Sequence, residues 1–314
     1  KAVLFKRFAG IDVFNIELDT QDVDEIVNTI KNIAPTFGGI NLEDISAPRC
    51  FEIEKRLIDE LDIPVFHDDQ HGTAIIVAAG LLNALEIQEK NFKEAKIVCA
   101  GAGSAGIATL NLLLELGFSK DNILLVDRNG VVSTKSKNLS KEKLAYASDT
   151  DKKTLSDAID GADVFIGVAR GNLVTQAMVK SMAERPVIFA LSNPDPEIAP
   201  VDVYACRNDV LMATGRSDYP NQVNNVLGFP YIFRGALDAN SKIINTEMKV
   251  AAVHALKNLA KAPASKELLE IYQVSSLTFG KDYFIPKPFD PRLIEVVPKA
   301  IFDAAVTSGA SREK

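Results

Sequence analysis

Lys96-Ile97-Val98-Cys99-Ala100-Gly101-Ala102-Gly103-Ser104-Ala105-Gly106 is the stretch on which the fold turns. Lys96–Ala100 reads as a short, wholly apolar strand, and Ser104–Leu116 as a helix stopped by Gly117. Between them lies a G-x-G-x-x-G, which alone is a weak signal. Here a strand precedes it, a helix follows, and Asp127 closes the next strand, Ile123–Val126. That is the full context of a dinucleotide-binding loop. Gly101 permits the tight turn, Gly103 lets the backbone approach a pyrophosphate, and Gly106 allows close helix–strand packing. The N–H groups of Ser104 and Ala105 and the positive end of the helix dipole would face the phosphates. Asp127 can bond both ribose hydroxyls and would repel a 2′-phosphate, which favours NAD. Arg128 beside it keeps NADP open. The plain alternative is that the glycines serve only a tight turn.

Outward from this loop the pattern repeats. Val164–Gly167, Val187–Leu191 and Val210–Ala213 read as further short apolar strands, with helical segments near 154–159 and 175–183 between them. Such alternation implies a parallel sheet covered on both faces. After Asn225 it stops: Ile243–Ala260 reads as a long helix, 262–291 is polar and proline-bearing, and Leu293–Val306 reads as a helix. Toward the N-terminus, Ala2–Phe5 and Ile11–Leu18 look like strands and 21–33 like an amphipathic helix. A helix then runs from about Pro48 to Leu61, followed by a short strand, Ile63–Phe66, and an apolar helix, Ala74–Leu85. The expectation is an α/β protein in which a dinucleotide domain, 73–225, is inserted into a second domain built from 1–72 and 226–314.

The composition, 47% hydrophobic and 25% charged, excludes a disordered chain. A net charge of −7 with no Lys/Arg-rich run argues against nucleic acid and anionic membrane as partners. Cys50, Cys99 and Cys206 stand in apolar surroundings without a C-x-x-C pair, as buried thiols in a reducing cytoplasm would. The most apolar run is too short to span a bilayer, and no signal peptide is recognisable. The chain opens at Lys1 rather than methionine, so further residues are expected to precede it in the full protein.

A second cluster carries charge instead of glycine. Phe66-His67-Asp68-Asp69-Gln70-His71-Gly72-Thr73 places two carboxylates between two histidines at a strand end, and Glu43-Asp44 ends an earlier short apolar stretch. Glu43, Asp44 and Asp69 are three hard oxygen donors with no cysteine nearby, suited to Mg²⁺ or Mn²⁺, with Asp68 standing behind them. Two alternatives stand beside this reading. Glu43 and Asp44 could cap the helix near Pro48, and Asp68-Asp69 could be a solvated turn with a helix cap. His67 and His71 read as ordinary packed or solvated histidines before ligands.

Phe37-Gly38-Gly39-Ile40-Asn41-Leu42-Glu43-Asp44, Phe66–Thr73, Gly101-x-Gly103-x-x-Gly106, Leu191-Ser192-Asn193-Pro194 and Gln222-Val223-Asn224-Asn225 occur in an order and spacing that resemble the malic enzymes, most closely the short bacterial type. The resemblance runs from Lys1 to about residue 260. It implies a Rossmann-type doubly wound parallel-sheet domain beside an α/β substrate and metal domain. The implied reaction is oxidative decarboxylation of (S)-malate to pyruvate and CO₂ with NAD or NADP and Mn²⁺ or Mg²⁺, in a homodimer. By the same resemblance Glu43, Asp44 and Asp69 are the metal ligands. Lys1, its pKa lowered by its surroundings, is the base, and Asp68 is the carboxylate paired with it. Asn193, Asn224 and Asn225, with Lys1, hold the substrate, while Gly167 and Val168, with Asn193, add cofactor contacts. The family's catalytic tyrosine, in a Tyr-Thr-Pro-Gly-type motif, and its substrate arginine have no counterpart here and are expected upstream of Lys1. The rival readings are a non-decarboxylating hydroxy- or amino-acid dehydrogenase and a nucleotide-sensing module without chemistry.

Overall fold

The computed structural model describes residues 1–312. The first half-layer comprises α1 (Ala2–Ala9), α2 (Val23–Ile33), β1 (Ile40–Leu42), α3 (Arg49–Glu60) and β2 (Val65–His67). The long α4 (Asp68–Ile87) then leads into the sheet region. That region runs through β3 (Ile97–Ala100), α5 (Ser104–Glu115), β4 (Ile123–Asp127), β5 (Gly130–Val131), α6 (Lys141–Leu144), α7 (Leu155–Ile159), β6 (Val164–Gly167) and α8 (Gln176–Ser181). It ends with β7 (Val187–Ala190), α9 (Pro200–Cys206) and β8 (Leu211–Thr214). The chain closes with α10 (Phe229–Asp238), α11 (Thr246–Lys261), α12 (Lys266–Tyr272) and α13 (Leu293–Thr307).

The main sheet has the strand order β5-β4-β3-β6-β7-β8, parallel throughout except for the antiparallel edge strand β5. Successive strand residues face opposite sides, as the pleat requires. Ile97, Cys99, Leu125, Ile166, Phe189 and Ala213 join the core beneath α4 and α5, whereas Val98, Val126, Phe165, Ile188 and Met212 meet Ala158, Val179 and Val203 of α7–α9. Both faces are covered, which is why the strands carry continuous apolar runs. Strand order reverses between β3 and β6. The crevice at the carboxyl ends of those two strands is where such sheets take their ligands.

β1 and β2 pair in parallel, Leu42 opposite His67, over a third core of Ile26, Val27, Ile30, Ile53 and Leu57. Their register puts Glu43-Asp44 and Asp68-Asp69 at the same edge.

Three expectations from the sequence need correction. Ala2–Phe5 is the start of a helix: Phe5 and Ala9 share its buried face, and Gly10 closes it in the left-handed conformation, φ 64°. A short apolar run fits either period, and the i, i+4 pair decides for the helix. Ile11–Leu18 forms no regular element and joins neither sheet among the described residues. Asp68 and Asp69 form the first turn of α4, whose helix begins well before Ala74. The 262–291 segment also contains α12, and α10, unread in the sequence, fills the space beside α1.

Candidate active site

Lys1 stands at the start of α1 and reaches back to the α4 N-terminus. Its Nζ is bonded to Asp68 Oδ2, lies 3.3 Å from Glu43 Oε1, and sits 4.1 Å above the Phe229 ring. Asp68 is fully buried, 0% exposed, and its second oxygen has no partner among the described residues. Asn225 Nδ2 donates to Asp68 Oδ2 at 3.1 Å, and Thr73 donates back to Asn225 Oδ1 at 3.2 Å. Gly72 makes this approach feasible: a Cβ there would lie 2.1 Å from Asp68 Oδ1 and 3.1 Å from Asn225 Cγ. The glycine of the His-Gly-Thr motif is thus a space requirement of the Asp68–Asn225 contact.

Burial pushes the Asp68 carboxyl up to about 6, opposed by Lys1. Burial also raises Glu43, with Lys1 and Asn41 pulling the other way and Asp69 adding to the rise. For Lys1, burial alone would lower the pKa, but the charges of Asp68 and Glu43 outweigh it and the net direction is upward. This corrects the expected lowering: a lysine wedged between two carboxylates is held as ammonium.

Glu43 accepts from Asn41 Nδ2 at 2.7 Å. Asp44 adopts a left-handed backbone, φ 57°, uncommon outside glycine, and its main-chain N–H donates to Asp69 Oδ2 at 2.9 Å. The three expected ligands therefore share one rim with Lys1 and Asp68. Among the described residues they are not closed into a ready cage, since Glu43 leans on Lys1 and Asp69 on the Asp44 main chain. As a donor set, three carboxylates without a thiolate suit a hard divalent cation. Beside Asp44 and Arg49 opens a cavity of about 480 Å³.

The dinucleotide loop has the geometry its sequence requires. Gly101 has φ 120°, and a Cβ on it would lie 2.6 Å from the Val168 carbonyl oxygen. A Cβ on Gly106 would lie 1.9 Å from Gly101 O. Gly103 faces open space, and the N-terminus of α5, with Ser104 and Ala105, has no side-chain cap, so its N–H groups are free for phosphates. The cradle fits a dinucleotide. Gly167 and Val168 flank it across the switch point, and Asn193 lies exposed at the end of β7.

Four residues were invisible to the sequence reading. Lys143 Nζ sits 2.6 Å from Asp127 Oδ2, while the Asn129 N–H holds the other oxygen at 2.8 Å. Asp127 is thereby neutralised, with Arg128 exposed beside it. Glu197, fully buried and raised by that burial, accepts the Ala169 N–H at 2.9 Å and the Ser192 N–H at 3.1 Å, joining the loops after β6 and β7. Glu54 and Lys249 surround His71 behind the carboxylates. Asn224, expected to hold substrate, spends its Oδ1 on the Val226 N–H at 3.0 Å. It borders a cavity of about 420 Å³ with Phe8, Tyr219 and Tyr272.

The two halves meet. A Cβ on Gly215, just past β8, would lie 3.1 Å from Asn193 Nδ2, and the segment from Gly215 leads to Asn225 on Asp68. A doubly wound sheet with a free phosphate cradle, joined to a lysine–carboxylate cleft, defines an NAD(P)-dependent oxidoreductase. Residues 70–277 match the family model "Malic enzyme, NAD binding domain" and residues 1–58 match "Malic enzyme, N-terminal domain". The chain belongs to the malic enzyme family. The NADP-dependent malic enzyme of Halomonas elongata is 54% identical over 312 residues, 99% of this chain and 74% of that protein. The NADP-dependent malic enzyme of Rhizobium meliloti is 54% identical over the whole chain, which spans 41% of its length. The crystal structure of the NAD-dependent malic enzyme of Thermotoga maritima superposes with a TM-score of 0.86 at 40% identity, covering 96% of this chain and 76% of that one. The chain thus spans about three quarters of the shorter relatives and about two fifths of the longer.

Proposed function

We propose that the full protein converts (S)-malate and NAD(P)⁺ to pyruvate, CO₂ and NAD(P)H at this cleft. The observation that carries the reading is the meeting of Lys1 with Glu43 and Asp68, with Asn225 of the sheet region bonded to Asp68. Glu43, Asp44 and Asp69 would hold Mg²⁺ or Mn²⁺, which when bound supplies Lewis-acid stabilisation of the substrate oxygen. Lys1 Nζ handles the proton of the C2 hydroxyl as hydride leaves C2 for the nicotinamide. Asp68 holds the Nζ in place, and Asn225 holds Asp68. Asn193, at the strand end facing the cleft, orients the substrate carboxylate without adding a charge. Carbon–carbon cleavage releases CO₂, and the C3 proton comes from an acid outside this chain's identified residues.

Lys143 and Arg128 favour acceptance of a 2′-phosphate, so NADP is the proposed preferred cofactor, with NAD also used. The division into 1–72 with 226–314 and 73–225 is likewise proposed. It is supported by the packing of α10 against α1. Homodimerisation and cytoplasmic residence complete the reading, the first supported by the exposed apolar side chains Val3 and Phe14. No helix among the described residues is long and apolar enough to cross a membrane.

The test is an assay of the full-length protein with malate, Mn²⁺ and either cofactor. The expected result is a rise in absorbance at the NAD(P)H band with stoichiometric pyruvate and CO₂. Reduction without CO₂ would indicate a non-decarboxylating dehydrogenase instead, and no reduction with either cofactor would refute the reading.

A further inference from the structure

Behind the carboxylate rim lies a polar cluster in the packing between three helices. Glu54, on α3, is 7% exposed. Its Oε1 accepts the His67 main-chain N–H at 3.2 Å and lies 2.7 Å from His71 Nε2, while Oε2 accepts from Gln70 Nε2 at 3.1 Å. Lys249, on α11, brings its Nζ to 3.2 Å and 3.3 Å from the two ring nitrogens of His71. The Nζ is thus nearly equidistant from both nitrogens and lies over the ring face, while Glu54 Oε1 takes the Nε2 edge. The ring then bridges a cation and an anion.

Residues 67, 70 and 71 bracket Asp68 and Asp69. One carboxylate on α3 therefore ties down the chain on both sides of the two acidic residues. Stability alone is a poor reason for such a cluster. Buried charged groups can often be replaced by apolar side chains of similar volume without loss. What hydrogen bonds add is direction: each fixes one atom against another to a fraction of an ångström.

We infer that Glu54 and Lys249, acting through His71, are positioning residues for the reaction. They clamp the first turn of α4 to α3 and α11, so that Asp68 keeps its aim at Lys1 and Asp69 its aim at the cation. The inference rests on the assignment of Asp68 and Asp69 proposed above.

The test uses full-length Glu54→Gln, Lys249→Met and Lys249→Arg proteins. Glutamine keeps the shape of Glu54 but turns one acceptor into a donor facing other donors. Four quantities are read: thermal midpoint, NADPH affinity by fluorescence, Mn²⁺ affinity by electron paramagnetic resonance, and kcat. Outer partners of metal ligands are commonly worth about 10- to 100-fold in metal affinity or activity. Glu54→Gln and Lys249→Met should accordingly weaken Mn²⁺ binding and lower kcat by about 10-fold or more. NADPH affinity should stay within about two-fold, and Lys249→Arg should restore most of the loss. If both variants lower only the thermal midpoint, leaving Mn²⁺ affinity and kcat unchanged, the role is structural and the inference fails. Should Glu54→Gln not fold, Gln70→Met, which removes one donor, is read in the same way. Asp69→Asn separates the two levels. If it retains Mn²⁺ binding, the ligand assignment itself is wrong; if it loses binding while Glu54→Gln does not, only the positioning inference falls.

Discussion

Asp127 shows how much one neighbour can change the meaning of a residue. Read in sequence, an acidic group at the end of β4 selects against a 2′-phosphate. In the structure Lys143, sixteen positions away on α6, cancels that charge. A charge-assisted hydrogen bond is worth about 1.5–3 kcal/mol. Lys143→Ala should therefore reduce kcat/KM for NADP by about 10-fold or more while leaving NAD unchanged or improved. Steady-state kinetics with both cofactors checks this, and an equal loss for both would count against it. Legibility at this scale follows a physical rule. Glu43, Asp44, Asp68 and Asp69 could be picked out because each follows a strand end, a position that sequence patterns reveal. Lys143, Glu54, Glu197 and Lys249 could not. A lone charge within a helical or loop stretch has the same local signature whether it faces water or a buried partner, and only the fold distinguishes them. Lys1, the expected base, sits against Asp68 and Glu43, and its pKa is shifted up rather than down as expected. Burial and pairing act in opposite directions on a lysine, and their balance is a property of distances.

At the level of elements, the nucleotide cradle was the most legible part, because Gly101 and Gly106 are forced by contact distances. Gly106→Ala would place a Cβ 1.9 Å from the Gly101 carbonyl oxygen, a contact that backbone can relieve only by moving the loop. That variant should lose NADPH binding by about 10-fold or more, since the phosphates rest on the same N–H groups. A fluorescence titration measures it, and wild-type affinity would show that the loop tolerates the shift. The parallel strands were legible for a related reason: burial on both faces leaves them continuously apolar. The N-terminal segment was not. Four apolar residues satisfy either period, and Ala2–Ala9 becomes a helix because Phe5 packs on Phe229, 4.8 Å between ring centroids, and on Phe233. Those partners lie in α10, more than two hundred residues away, which local reading cannot supply. The start of α4 was read too late for another reason. Two carboxylates and a glycine look like a turn, yet aspartates are favoured in a first helical turn.

On the scale of the whole molecule, the protein is a joint between two kinds of site. One is a rigid sheet edge that presents backbone N–H groups to phosphates. The other is a pocket of carboxylates around a single lysine, built where β1, β2 and α4 converge. Asn225, ten residues past Gly215 at the end of the sheet region, bonds Asp68 and ties the two parts of the chain together. Breaking the pocket from within is expensive. Without Lys1, Asp68 would be left buried and unpaired, at a cost of roughly 3–5 kcal/mol, which ties proton handling to the integrity of the α4 start. If the carboxylate pocket and the cradle are separate sites, the metal and the cofactor can be lost independently of each other. The most direct measurement compares full-length wild type with Asp69→Asn, reading Mn²⁺-dependent malate oxidation and NADPH affinity on the same preparations. Metal-dependent turnover should fall by at least about 100-fold, with NADPH affinity kept within about two-fold. Loss of both, or of neither, would contradict this.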